Sequence, residues 1–406
     1  MPYEGDNMMG VKRTNRSAAL RILHERGSMS RKRLSESIKL TPAAITKIVG
    51  EMIAEGLLTE GSLLPGSGVG RREVMVELNP RARVAPGIFL NLRMAFVSAV
   101  WLDGTVLFSE SIPLPPRAPA DESVVMLCRR LTELCDAHGL ERERMLPVGV
   151  AMRGVLSPDG RVVRNSFGAL DTVDYPICRR VEDLTGLPCI MHNNVRALFA
   201  AQMFLSHDHD LSSQFFLRCE AGIGASFAVG EHIWLGSTGQ CAEIGHIPVV
   251  KRGGKPCSCG KSGCLETIAS PSAIEQDSLA LLGEGGAPVL ARLVERSGRT
   301  EPDLEDVFEA ARSGDGEVAA LVDRAVETLA AALKGVIYAF DPGKIVLYGR
   351  MFENPYYLSK LIAEMREGVD SGHNVPIEKS RLNHKLEDKA AGLLSVEEFF
   401  DRGGLL

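Results

Sequence analysis

The chain has 406 residues, is 45% hydrophobic and 24% charged, and carries a net charge of −6. That composition fits a globular protein of two or three domains with ample core, and its longest apolar runs fall far short of a membrane span. The overall acidity argues against nucleic-acid binding, yet residues 1–80 hold 12 Lys and Arg against 9 Asp and Glu, so a +3 head precedes a −9 body.

The N-terminus MPYEGDNMMGVKRTNRS has no apolar signal core, which predicts a cytoplasmic protein. Residues 15–26 read as an amphipathic helix with Ala18, Ala19, Ile22 and Leu23 on one face. Ser30 is placed to cap a second helix, which bears Leu34 and Ile38 at a spacing of four. Thr41 caps a third, with Pro42 at the first helical position, where no N–H is needed. Ile45, Ile48, Val49, Met52 and Ile53 form the buried stripe of that helix and leave Ala43, Thr46, Lys47 and Gly50 facing outward. Gly56 ends it, and a strand from Leu57-Leu58, the turn LPGSGVGRR and a strand EVMVEL follow. Three helices and a two-stranded hairpin make a winged helix-turn-helix over residues 1–80. Thr41, Ala43, Thr46 and Lys47 would then face the major groove of a double-stranded DNA operator, with Arg71 and Arg72 at the wing reaching phosphates or a minor groove. The same pattern also suits a small helical protein-interaction module. Lys39 is the odd residue, in a turn where glycine would be easier.

Beyond residue 85, residues 87–102 and 105–112 read as one β-hairpin turned at Asp103-Gly104. A helix at 121–138, a strand at 147–152, a helix at 176–185, a strand at 188–192 and a helix at 194–206 follow. A similar succession begins with strands at 214–219 and 225–229. It continues with a helix from Glu266, a long apolar helix at 318–340 and a strand at 344–348. Two β-β-α-β-α sets predict two mixed α/β lobes with a cleft between them. The lobes are 85–200 and 201–406, with C-terminal helices able to pack back on the first.

The densest chemistry lies in the second lobe. Cys257, Cys259 and Cys264, with Gly260 and Gly263 between them, follow His246 and are bracketed by Glu243 and Glu266. Three thiolates and one imidazole complete a tetrahedral shell for a structural zinc ion and leave no open position for catalysis. The plainer reading is three structural thiols and an unrelated histidine. The other six cysteines are scattered among apolar residues, as buried cytosolic thiols are.

The body resembles the ROK family (repressor, open reading frame, kinase). The resemblance rests on Cys241-Ala-Glu-Ile-Gly-His246, Cys264-Leu-Glu266, Gly149-Val-Ala-Met-Arg-Gly-Val155, Asn193-Asn194 and Asp341-Pro-Gly-Lys-Ile-Val-Leu347. The head is similar to the winged helix of the family's xylose-repressor-like branch. The resemblance implies a two-lobed, actin-like (sugar-kinase, RNase H-like) α/β body. It also implies that Asn193, Asn194, Glu243, His246 and Glu266, with Asn165 as a further candidate, contact a sugar or sugar derivative. His246 would give one ring nitrogen to zinc and donate from the other to a hydroxyl.

Against the family's kinases the chain departs at four places. Their aspartate general base is Asn194 here, and an amide cannot take a proton from the attacking hydroxyl. Their Asp-x-Gly-Gly-Thr turn is replaced by Phe89, Asn91, Leu92 and Arg93. Glu220-Ala221 stands before Gly222-Ile223-Gly224, and Gly349-Arg350 replaces a glycine pair, so neither loop suits phosphate. The expectation is a chain with no catalytic residue. It would be a homodimeric or dimer-of-dimers repressor whose sugar effector alters its hold on a two-fold operator. The alternatives are a ROK sugar kinase with an accessory head, or a regulator that has lost sugar sensing.

Overall fold

The computed structural model describes residues 8–61, 73–206, 213–369, 371–382 and 386–405. The head opens with α1 (Met8–Arg26), which starts a full turn or more before the expected 15–26. Its buried face is Arg16, Ala19, Leu20 and Leu23, while Ala18 and Ile22 are only half-buried. The face is shifted because the helix packs on the C-terminal end of the chain, a partner that local periodicity does not reveal.

β1 (Met29–Ser30) leads into α2 (Arg31–Ile38), where the Ser30 hydroxyl accepts from Arg33 N–H at 3.4 Å. α3 (Pro42–Ala54) follows, and the Thr41 hydroxyl accepts from Ala44 N–H at 3.3 Å. Lys39 ends α2 in the left-handed region (φ 60°, ψ 40°), a conformation that costs a residue with a β-carbon about 1–2 kcal/mol. β2 (Leu58–Glu60) and β3 (Met75–Leu78) complete a three-stranded sheet in the order β1-β3-β2, one strand more than the expected hairpin. Met29 and Ser30 join that sheet by backbone pairing to Val76 and Met75, which no side-chain pattern announces. The turn carrying Arg71 and Arg72 lies outside the described residues.

The chain divides into two units, Met1–His207 with Glu387–Leu406, and Asp208–Leu386. In the first, β4 (Val84–Leu90), β5 (Met94–Trp101) and β6 (Val106–Pro113) form a meander. The expected single strand at 87–102 is therefore two strands reversing at residues 91–93, where Asn91 N–H donates to Met94 O at 2.8 Å. Apolar residues on both sides of a turn without glycine or proline hid the reversal. β7 (Ala118–Pro119), α4 (Ala120–Ala137) and β8 (Val148–Met152) come next. The short strands β9 (Val155–Leu156), β10 (Val163–Asn165), β11 (Leu170–Asp171) and β12 (Val173–Tyr175) then precede α5 (Ile177–Thr185). β13 (Cys189–Asn193) and α6 (Asn194–Ser206) end this stretch. The main sheet runs β13-β8-β4-β5-β6, with β13, β8 and β4 parallel and β5 antiparallel to both neighbours.

The second unit repeats that plan with β14 (Ser213–Cys219), β15 (Ile223–Val229) and β16 (His232–Ile233). The helices α7 (Glu266–Ala269), α8 (Pro271–Gly283), α9 (Pro288–Ser297), α10 (Leu304–Arg312) and α11 (Gly316–Phe340) lead to β17 (Lys344–Tyr348). α12 (Pro355–Arg366) and β18 (Ile377–Lys379) complete it. Its sheet order is β16-β15-β14-β17-β18, again with two parallel neighbours on one side of the first strand and an antiparallel pair on the other. The expected pair of mixed α/β sets is thus present, each with its own core. In the second unit Phe215, Leu217, Leu329, Leu333, Leu347 and Tyr357 lie at the centre of that core.

The last helix, α13 (Glu387–Asp401), belongs to the first unit. It lies so close to the sheet that a β-carbon on Gly149 would sit 1.7 Å from Ala391 O, and one on Gly87 2.5 Å from Gly392 N. Gly149→Ala is therefore expected to cost about 3 kcal/mol, the upper end of ordinary overpacking. Chemical denaturation measures it against Gly335→Ala, where nothing lies within 4 Å and a slight gain is expected. Past α13, Gly403 O accepts from Arg16 Nε at 2.7 Å, and His24 of α1 stacks on Phe204 with centroids 4.0 Å apart. The head is thereby docked on the first lobe. No helix among the described residues is long and apolar enough to cross a membrane.

Candidate functional site

The cysteine loop folds as it does because of its glycines. Gly263 has φ 74°, and a β-carbon there would lie 2.3 Å from Val250 O, so the loop closes only with glycine at that position. Cys257 N–H donates to Lys261 O at 2.8 Å, and Gly260 N–H to Cys257 O at 3.0 Å, which curls the three thiols inward. His246 ends a single 3-10 turn, Ile244–His246, whose Gly245 has room for no β-carbon against Ile223 O at 2.1 Å.

The result is that one ligand atom from each of His246, Cys257, Cys259 and Cys264 lies within 4.8 Å of the others, a group that could hold a metal ion. Cys257 Sγ is 3.5 Å from His246 Nδ1, and Cys259 Sγ is 3.7 Å from Cys264 Sγ. Burial pushes the Cys257 thiol up to about 12, so near neutral pH it needs a cation beside it to become a thiolate.

Glu266 sits against this loop at the start of α7. Its Oε2 accepts from Ile223 N–H at 3.1 Å and its Oε1 from the Ser258 hydroxyl at 3.2 Å, so the carboxylate ties the knuckle to the β14–β15 turn. Ser258 is a partner that sequence reasoning missed, since nothing marks it among the residues between the cysteines. Glu243 is half-buried, and its carbonyl accepts from His246 N–H at 3.1 Å.

In the first unit Asn193 makes two hydrogen bonds to backbone groups. Its Oδ1 accepts from Val195 N–H at 2.9 Å, capping α6, and its Nδ2 donates to Gly154 O at 2.9 Å. Asn194 is buried and donates to Asn91 Oδ1 at 3.1 Å. The two amides, 103 residues apart in the chain, are therefore hydrogen-bonded to each other. Asn165 is exposed, and its Oδ1 accepts from Phe167 N–H at 2.8 Å.

On the head, Thr41, Ala43, Thr46 and Lys47 are all exposed on one end of α3. Thr46 Oγ1 donates to Pro42 O at 2.7 Å, so it faces outward as an acceptor. Lys32, Arg33 and Lys39 of α2 and its following turn are exposed as well. The basic run at 31–33 was the sequence signal for these.

Residues 96–394 match the model of the ROK family. The chain is 27% identical over 378 residues to the DNA-binding transcriptional dual regulator NagC of Escherichia coli strain K12, covering 92% of this chain and 90% of that protein. It is 26% identical over 258 residues to a glucokinase of Halalkalibacterium halodurans, covering 64% of this chain and 76% of that enzyme. A ROK family transcriptional regulator of known structure, a homologue of the E. coli Mlc protein, shares the fold with a TM-score of 0.80 at 24% identity, across 97% of this chain and 98% of that one.

Proposed function

Because the chain belongs to the ROK family, we propose that it is a DNA-binding transcriptional regulator of carbohydrate-related genes, acting as a repressor whose operator affinity is set by a sugar or sugar derivative. One observation carries this: a doubly capped helix-turn-helix with an exposed α3 face is built onto a ROK body, and the similarity to NagC runs through both. The likeness to the glucokinase, by contrast, extends over 64% of the chain.

The protein acts as a cytoplasmic homodimer, or a dimer of dimers, with α3 of each head in a major groove of double-stranded DNA. Thr41, Ala43, Thr46 and Lys47 contact the groove, and Arg71 and Arg72 reach phosphates or a minor groove beside it. Lys47→Glu is expected to weaken operator binding at least tenfold across sequences and to reduce the salt slope by about one. Titration of promoter DNA at several salt concentrations measures both. Failure of the wild-type protein to shift its own promoter DNA at low salt would sink the reading.

The metal in this proposal is structural zinc. Zinc–sulfur and zinc–nitrogen bonds of about 2.3 and 2.0–2.1 Å place tetrahedral ligands about 3.8 Å apart for two sulfurs and about 3.6 Å apart for sulfur and nitrogen. The observed 3.7 and 3.5 Å agree with those edges. Zinc on Nδ1 fixes the His246 tautomer with the proton on Nε2, the atom proposed to donate to a sugar hydroxyl. Glu243 and Glu266 offer acceptors in the same unit, and Asn165, Asn193 and Asn194 are the candidate contacts of the other. A rise in unfolding midpoint with a sugar, absent in Glu243→Ala, supports sensing.

No catalytic residue is assigned. The buried Asn194 amide cannot act as general base, and a coupled assay over a sugar panel is expected to show no ADP release.

A further inference from the structure

α6 is a single rod of 13 residues, about 18 Å long, and side chains from outside it hold both of its ends. At its start, Asn193 Oδ1 accepts from Val195 N–H at 2.9 Å, and Asn194 donates to Asn91 Oδ1 at 3.1 Å. These two amides are sugar-contact candidates of the first unit. At its far end, Phe204 O is one of the last four carbonyls, which no N–H of the helix satisfies. That oxygen lies 3.1 Å from Nε2 of His24, in α1 of the head. A carbonyl only accepts, so His24 donates here with the proton on Nε2.

The same ring stacks on Phe204, with centroids 4.0 Å apart, and meets Phe400 of α13 edge-on at 5.9 Å. Phe204 and Phe400 are both buried and touch at 5.6 Å. His24 is thus seated in an aromatic socket built by α6 and α13, and it caps α6 as well. A shift of α6 cannot leave His24 behind without losing a hydrogen bond and a ring stack together. Further back along α1, Arg16 Nη1 donates to Glu55 Oε1 at 2.9 Å, just past the end of α3. One helix therefore carries both the contact to α6 and the contact to the DNA-reading helix.

We propose that α6 transmits the state of the amides at its start to the head, and that His24 is the positioning residue through which the head follows. This rests on the proposed reading of the chain as an operator-binding regulator whose first-unit amides meet the effector. A ligand that engages Asn193 or Asn194 competes with the hydrogen bonds that seat α6. The end at Phe204 then moves with the start, because a packed helix shifts as one body. A bare docking contact would hold the head equally well but leave α1 indifferent to events at Asn193.

Amide hydrogen exchange on the full chain, with neither sugar nor DNA present, tests the link. Asn193→Ala removes the cap at the start of α6, and exchange across α1 should quicken about threefold. Exchange in α4 should not change, since α4 lies in a core cluster with no residue of α6 or α13. On a His24→Ala background, where α1 already exchanges faster, Asn193→Ala should add nothing. A merely structural contact would not behave so, because the effects of distant, independent sites add. His24→Gln, which keeps an N–H for Phe204 O, should restore part of the transmission. Asn91→Ala unties Asn194 instead; it is the milder disturbance, with the same expected direction, should Asn193→Ala not fold. An α1 that ignores both disturbances, α1 and α4 quickening alike, or an undiminished effect in His24→Ala would each overturn the inference. Any of these with operator binding intact overturns it alone, whereas a wild type that binds no operator overturns the proposed function.

Discussion

Removing the metal with a chelator, or replacing Cys259 with serine, is expected to lower the unfolding midpoint of the second unit by about 10–20 °C and to abolish any sugar response. The loss is large because the segment from His246 to Glu266 contains almost no regular structure. Around Cys257, Cys259 and Cys264 its backbone is held by a few turn hydrogen bonds and two isolated bridges. A structural zinc contributes roughly 10–16 kcal/mol to small finger peptides. A fraction of that suffices here, because the unit has a separate apolar core behind the loop. The consequence does not stop at the loop. Glu266 lies two residues past Cys264 and clamps Ile223 N–H, so loosening the knuckle frees the turn that joins β14 to β15. Calorimetry with and without chelator separates the units if they melt apart. Operator binding at low salt should survive, because α1, α2 and α3 belong to the other unit. A sugar response that persists without zinc would reduce the metal to a staple.

The second large effect is expected at Arg16, which is fully buried in the head although it carries a charge. Arg16→Ala should cost about 3 kcal/mol. Nε donates to Gly403 O at 2.7 Å, and the guanidinium pairs with Glu55 just past the C-terminal end of α3, with Nη1 to Glu55 Oε1 at 2.9 Å. Glu55 is 39% exposed, so solvent weakens the Coulomb part. Most of the cost comes from the unsatisfied carbonyl and the cavity left by a long side chain. Arg16→Met, which refills that volume without a charge, should recover part of it. Because Arg16 joins α1, the end of α3 and the tail after α13, the variant should also lower operator affinity without touching DNA. Denaturation and DNA titration on the same preparations read both effects. Unchanged affinity at reduced stability would show that head placement does not depend on this contact.

Much of the head was legible before any coordinates. Ser30, Thr41 and Pro42 are local devices that act within three residues of themselves, and the stripe Ile45, Ile48, Val49, Met52 is a property of one helix. The cysteine knuckle was legible for the same reason. His246 and the three thiols lie on one short segment whose glycines allow few other closures. The strands at 148–152, 189–193 and 344–348 announced themselves as apolar runs bounded by turn residues. The reversal at 91–93 did not, since both strands are buried and the turn has neither glycine nor proline.

What the chain order could not supply is the identity of distant partners. Asn194 with Asn91, Arg350 with Glu220, and Arg16 with Gly403 are separated by 103, 130 and 387 residues. Read singly along the sequence, Asn194, Glu220 and Arg350 were departures from a kinase pattern, and nothing singled out Arg16. Folded, they are paired. Side-chain periodicity and caps record interactions within one or two turns of backbone, which the sequence alone determines. Which carboxylate meets which guanidinium is decided only when two strands end at the same sheet edge, or when the last helix packs under the first.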